Sequence, residues 1–171
     1  YCSRRQRQMC IRDSYYSNVK KFLASGFGIG LFWNTYLGDK KGGGTLAAFL
    51  FALITYVFNL NVLELSILFI VLILTYIVSV DDNEASEDPS WITLDEIVGM
   101  SLVTIASPSR LLPLLAGFLV FRLSDIMKQP KFVAELEKYP GKLGVLYDDL
   151  GAGLMGLLSA TFVNQIINLT L

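Results

Sequence analysis

The chain has 171 residues, the length of one domain, of which 53% are hydrophobic and only 17% charged, for a net charge of −1. That balance excludes a nucleic-acid binder, which needs a clear basic excess. Histidine is absent, which removes Ser-His-Asp hydrolases, imidazole zinc sites and phosphatases that use a phosphohistidine or a histidine base; any chemistry falls to carboxylates, Lys and Arg.

Residues 1–14 (YCSRRQRQMCIRDS) carry no apolar period and differ in character from all that follows. They read as a non-native or disordered leader, too polar for a secretory signal, ahead of a single helical domain over 15–171. Both cysteines, Cys2 and Cys10, lie in that leader. Neither has a CxxC partner or a Cys-x5-Arg loop, so the thiols indicate neither a disulfide framework nor a thiol phosphatase.

Residues 42–63 run for 22 positions without a charge, and after Glu64 the chain is uncharged again to Val80. Residues 45–60 (TLAAFLFALITYVFNL) and 65–80 (LSILFIVLILTYIVSV) are apolar all round and near the roughly 20 residues that cross a hydrocarbon core. Joined at Asn59-Leu60-Asn61, they predict a transmembrane hairpin; a buried hairpin in a soluble all-α domain is the alternative. Thr45, after three glycines, is placed to cap the first of these helices, and such a glycine-rich start can also bind anions. Glu64, at the opposite end, reads as a snorkelling or loop-facing charge.

The loop 81–89 (DDNEASEDP) holds five acids and no base, by default a solvated turn. Residues 91–107 (WITLDEIVGMSLVTIAS) put Asp95 and Glu96 where polar loop passes into apolar helix, and Ser107-Pro108-Ser109 breaks that helix. Residues 110–121 (RLLPLLAGFLVF) lead into Arg122, Asp125 and Lys128. Eleven helical residues reach only about 16 Å, half a bilayer, so these two pieces predict a short pair that dips in and returns. Residues 150–171 are uncharged for 22 positions and predict a final spanning helix, whose small residues (Gly151, Ala152, Gly153, Gly156, Ser159, Ala160) suit close packing. The expected fold is all-α: an integral membrane helical bundle with a spanning hairpin, a short re-entrant helix pair and a C-terminal spanning helix.

Two hairpins each return the chain to its starting side. Lys20, Lys21, Lys40, Lys41, the acidic loop, Asp95-Glu96, Arg122, Asp125, Lys128 and Asp148-Asp149 then all face one side, and the lysines make it the cytoplasmic one. Trp33, Tyr36 and Trp91 suit the interfacial belts. Carboxylates where polar loop meets membrane are costly unless paired, hydrated or metal-bound. Several Asp and Glu without His or Cys are the donor set of Mg²⁺, and Arg or Lys beside such a site would bind phosphate. The alternative for each pair taken alone is an interface anchor or salt bridge.

At these positions the chain resembles the phosphatidylglycerophosphatase A family. Residues 88–99 (DPSWITLDEIVG) resemble its DPGxxxxDExxG segment, 121–130 (FRLSDIMKQP) its FRxxDxxKPxP segment and 144–153 (GVLYDDLGAG) its GxxxDDxxAG segment. Residues 24–31 (ASGFGIGL) are similar to its first glycine-rich segment. The family's PGTxGS is here only Gly43-Gly44-Thr45-Leu46, and its KPxP is Lys128-Gln129-Pro130-Lys131; the acidic positions are all in place.

The resemblance implies a Mg²⁺-dependent lipid phosphatase of the bacterial inner (cytoplasmic) membrane with its active site toward the cytoplasm. It would hydrolyse phosphatidylglycerophosphate to phosphatidylglycerol and phosphate in phospholipid biosynthesis, by Mg²⁺-assisted attack of water or through an aspartyl-phosphate. The expected metal ligands are Asp95, Glu96, Asp148 and Asp149, with Asp88 and Asp125 as further acidic candidates; Asp125 joins the two acidic pairs in the catalytic set. Arg122 and Lys128 would clamp the phosphate. The partners expected are a lipid substrate and the bilayer, with no nucleic acid and no oligomeric state indicated. The rival readings are a non-catalytic membrane bundle, such as a small transporter or channel subunit, and a relative that binds a phosphorylated ligand without turnover.

Overall fold

The computed structural model describes residues 17–38, 42–85, 89–107, 110–136 and 138–170. The leader 1–14, Lys40, Lys41, Asp88 and Pro108 lie outside the described residues. Among the described residues every regular element is a helix and there is no strand.

Residues 17–24 are helical (α1) and turn through residues 25–28 into α2 (Ile29–Leu37). Ser25 fastens the turn: its hydroxyl donates to the Phe22 carbonyl and accepts from the Gly28 N–H. The glycines of 24–31 have a packing reason. A β-carbon on Gly30 would fall 2.1 Å from the Trp91 carbonyl oxygen, and one on Gly26 would fall 2.7 Å from Thr93 Oγ1. The Thr93 N–H donates to the Ala24 carbonyl. The first glycine-rich segment therefore lies flat against residues 91–93, immediately before the helix that carries Asp95 and Glu96.

The two helices of the expected spanning hairpin form, as α3 (Gly43–Val57) and α4 (Val62–Ser79), but each packs on the central helix Leu94–Ala106 instead of along the other, and of the two only α4 is long and apolar enough to cross a membrane. With 15 residues, α3 is about 22 Å long and shorter than expected, because the turn at Phe58–Asn61 ends it. Thr45 is not the cap: the helix starts one residue after Gly42, so Thr45 falls inside the first turn. Glu64 faces the turn in a specific role. Asn61 Oδ1 accepts from the Glu64 N–H and Glu64 Oε2 accepts from the Asn61 N–H, a capping box that satisfies both orphan donors.

One helical turn, α5 (Asp82–Ala85), precedes α6 (Leu94–Ala106). The latter is the axis of the fold: nine of its thirteen residues are buried, and it packs against α3, α4, α7 and α9. The return helix α7 (Leu111–Met127) is longer than residues 110–121 suggested, continuing through Arg122 and Asp125 for about 25 Å. A short α8 (Lys131–Leu136) leads to α9 (Lys142–Thr170), which starts eight residues before the uncharged stretch. Asp148 and Asp149 are consequently not at a helix border but six and seven residues inside α9.

That early start is enforced by tertiary contacts. Asp82 Oδ1 accepts the Lys142 N–H, the Tyr76 hydroxyl donates to the Lys142 carbonyl, and the Lys142 ammonium donates to the Ile77 and Val80 carbonyls. One residue thus joins the end of α4 to the start of α9. At the opposite end, Arg110 donates to Asn164 and Asn168 on α9.

Between these ends the helices touch through glycine. A β-carbon on Gly153 would fall 2.5 Å from the Gly99 carbonyl oxygen, and one on Gly156 would fall 2.7 Å from that of Gly117. Such close approach of α6, α7 and α9 fits the small-residue reading of this segment. Two helices, α4 and α9, are long and apolar enough to cross a membrane, and only 22% and 28% of their apolar windows are buried. The rest turns outward: Leu63, Ile67, Ile70, Leu74 and Val78 on α4 are exposed, as are Leu154, Leu158, Phe162 and Ile166 on α9.

Candidate active site

All the described residues of the three acidic motifs gather at the end of the bundle where α4 stops and α9 begins. The helix α6 opens there with Asp95 and Glu96, α7 ends there with Arg122, Asp125 and Lys128, and the first turns of α9 bring Asp148 and Asp149. The backbone contact of Gly99 with Gly153 sets the approach, one turn beyond Asp95-Glu96 on one helix and one turn beyond Asp148-Asp149 on the other.

The charged side chains form a continuous ladder. Arg122 NH1 lies 4.0 Å from Glu96 Oε1 and 2.7 Å from Asp125 Oδ2. Asp125 Oδ1 is 3.5 Å from the Lys128 ammonium, which also donates to Asp148 Oδ2. Asp125 thus holds both cations, as its spacing of three from each along α7 allows. Asp95 is buried, and its Oδ1 accepts the Glu96 N–H. Asp149, also buried, lies within electrostatic reach of Asp95, Asp125 and Glu96.

Two residues of the site come from the segment that least resembled its family counterpart. Arg122 NH2 donates to Thr45 Oγ1 at 2.9 Å. A β-carbon on Gly44 would fall 1.5 Å from Glu96 Oε1, so glycine is what lets the Glu96 carboxylate lie against the first turn of α3. The helix end there carries partial positive charge. The sequence signal was the run Gly42-Gly43-Gly44-Thr45, but nothing in the spacing linked it to Arg122, 77 residues away.

The electrostatics are unbalanced. Five carboxyl groups (Asp95, Glu96, Asp125, Asp148, Asp149) face two cationic side chains. Burial, and then the neighbouring Asp95 carboxylate, hold the Glu96 carboxyl well above the usual carboxylate range, with Arg122 pulling the other way. Glu96 Oε2, Asp148 Oδ1 and Asp149 Oδ1 are buried without a hydrogen-bond partner, a costly condition for such atoms. Hard oxygen donors with unused lone pairs and surplus negative charge fit Mg²⁺ in chemistry. They do not form a ready cage: among the described residues no three His, Cys, Asp or Glu side chains are grouped so as to hold a metal ion. Asp88 lies outside the described residues. Asp81, by contrast, pairs with Lys20 on the surface and Asp82 holds the start of α9, so the described acids at 81 and 82 are structural.

The sequence profile of a family described as phosphatidylglycerophosphatase A matches residues 22–164, which contain every motif of this site. A protein of Bacteroides thetaiotaomicron, provisionally named phosphatidylinositol-3-phosphatase, is 33% identical over 84 residues, which make up 47% of this chain and 52% of that protein. The match thus spans about half of the relative's length. No solved structure matches the chain.

Proposed function

Because the chain belongs to the phosphatidylglycerophosphatase A family, we propose that it removes the terminal phosphate of phosphatidylglycerophosphate, releasing phosphatidylglycerol. The observation that carries this reading is the ladder of carboxylates and two cations at one end of an apolar helical bundle. A charged phosphomonoester on a lipid reaches such a site from the membrane surface while its acyl chains stay beside the outward apolar faces of α4 and α9. On this reading those two helices span the inner membrane, and the site opens to the cytoplasm. A transporter would carry its charges along a mid-membrane path, whereas the charged clusters here sit at the ends of the bundle.

Asp95, Glu96, Asp148 and Asp149 are the residues that would hold Mg²⁺. The ion, when bound, would polarise water and offset phosphate charge. Arg122 and Lys128 bind and orient the phosphate oxygens, and Asp125 holds those two cations in register with each other. Phosphate must compete with Asp125 and Glu96 for Arg122, which favours a dianionic monoester over a singly charged diester.

The test is phosphate release by purified protein from a panel of lipid monoesters, with EDTA and then excess Mg²⁺. Release from phosphatidylglycerophosphate that stops on chelation and returns with Mg²⁺ is the expected result. Preference for phosphatidylinositol 3-phosphate would shift the substrate toward the one in the relative's name. No release from any lipid would leave a binder and overturn the enzyme reading. Thr45 supplies a finer prediction: Thr45→Val should raise KM about tenfold by freeing the guanidinium, a charged hydrogen bond being worth about 1.5–3 kcal/mol. Thr45→Ser should stay near the parent; equal KM in all three proteins would make the contact idle.

A further inference from the structure

Lys128 closes α7 in the left-handed conformation, with φ 50 and ψ 46. Glycine takes up that cap freely, whereas a residue with a β-carbon does so at a cost. What the lysine adds is its ammonium, which bridges α7 to α9 by reaching Asp125 Oδ1 and Asp148 Oδ2 together. Its two carboxylate partners are nearly enclosed, while a third of the Lys128 side chain is open. Behind it, the second oxygen of Asp148 and one oxygen each of Glu96 and Asp149 remain unpartnered. Glu96, Asp125 and Asp148 are thus paired with side-chain cations, and among the described residues no three acids are grouped so as to hold a metal ion.

We propose that Lys128 is a stand-in cation: in the metal-free protein its ammonium occupies Asp148, and it swings outward when a divalent cation is taken up. The inference rests on the metal reading above. An ammonium and a divalent cation on the two oxygens of one carboxylate repel each other in so enclosed a place, so uptake of one favours withdrawal of the other. Lysine suits the role better than arginine, being a compact charge on a flexible stem with rotatable donors instead of a planar fork. Its open flank gives it somewhere to go, on the side from which a phosphate would arrive.

Two measurements on the full-length purified protein without lipid substrate test this. First, Mn²⁺ is titrated and free Mn²⁺ followed by electron paramagnetic resonance. Lys128→Met should bind Mn²⁺ tenfold or more tightly than the parent and melt at a lower temperature without metal, whereas Lys128→Arg should bind no more tightly than the parent. Second, the parent is treated with a small amine-acylating reagent with and without Mn²⁺. Lys128 should react several-fold faster with Mn²⁺ present, and Lys142, which caps α4, should not change. Equal or weaker Mn²⁺ binding by Lys128→Met, or a Lys128 reactivity indifferent to bound Mn²⁺, overturns the stand-in role alone. Absence of Mn²⁺ binding in both proteins overturns the metal reading with it. The acylation arm needs no variant, so a misfolded Lys128→Met leaves the question answerable.

Discussion

Asp149→Asn should abolish phosphate release while leaving the protein folded, and more heat-stable than the parent in the absence of metal. Asp149 is 4% exposed and sits among Asp95, Glu96 and Asp125, with Oδ1 lacking a hydrogen-bond partner. A buried carboxylate so placed is expensive to keep in the folded state and is worth its cost only in the presence of a cation. The amide keeps the shape, removes the charge and gains two donors that neighbouring carboxylates can accept. The metal-free protein should gain about 1–2 kcal/mol, the scale of relieving one unsatisfied buried polar group. Activity should fall on the order of 10³-fold, or about 4 kcal/mol of transition-state stabilisation. Melting curves in detergent and phosphate release on the same preparation check both. An Asp149→Asn protein that melts lower, or turns over normally, would show that Asp149 serves the fold and not the chemistry.

The same expected opposition between stability and activity is why the candidate cluster was more legible in the sequence than the fold around it. Acids at apolar borders contradict what a stable bundle wants, so Asp95, Glu96, Arg122, Asp125, Lys128, Asp148 and Asp149 stood out against uncharged helices. The expectation of two hairpins, each returning the chain to its starting side, then predicted that these residues would meet. The helices themselves were readable where local signals rule, as in α3 and α4 on either side of the turn at Phe58–Asn61. The capping box was also written locally, as Asn61-x-x-Glu64, although Glu64 drew attention only as a charge.

What was not legible depends on contacts between distant residues. Helix α9 starts at Lys142 and not near Leu150 because Asp82, Tyr76 and the last carbonyls of α4 hold that residue from another part of the chain. No local propensity in Gly141-Lys142-Leu143-Gly144 predicts it. The same holds for Thr45 beneath Arg122 and for Lys128 on Asp148. Spacing along one helix shows which residues share a face, but not which side chain of another helix that face will meet.

The contact on which both acidic pairs depend is the crossing of Gly99 and Gly153, and Gly153→Ala is the substitution that tests it. The added methyl would fall 2.5 Å from the Gly99 carbonyl oxygen and 3.2 Å from its α-carbon. These are backbone atoms in the central helix, so the clash cannot be relieved by turning a side chain; α6 and α9 must part. Overpacking of that kind costs about 1–3 kcal/mol, and the melting temperature should fall accordingly. Activity should fall further than stability explains. The crossing lies one turn from Asp95-Glu96 and one turn from Asp148-Asp149, and a misplacement of about 1 Å between reacting groups can cost roughly 10²-fold. Gly151→Ala is the control, since its methyl would meet the flexible tips of Leu136 and Phe132 and leave the α6–α9 distance alone. It should keep most of the activity. If Gly153→Ala matched that control in both melting temperature and turnover, the helix crossing would not be what sets the distance between the two carboxylate pairs.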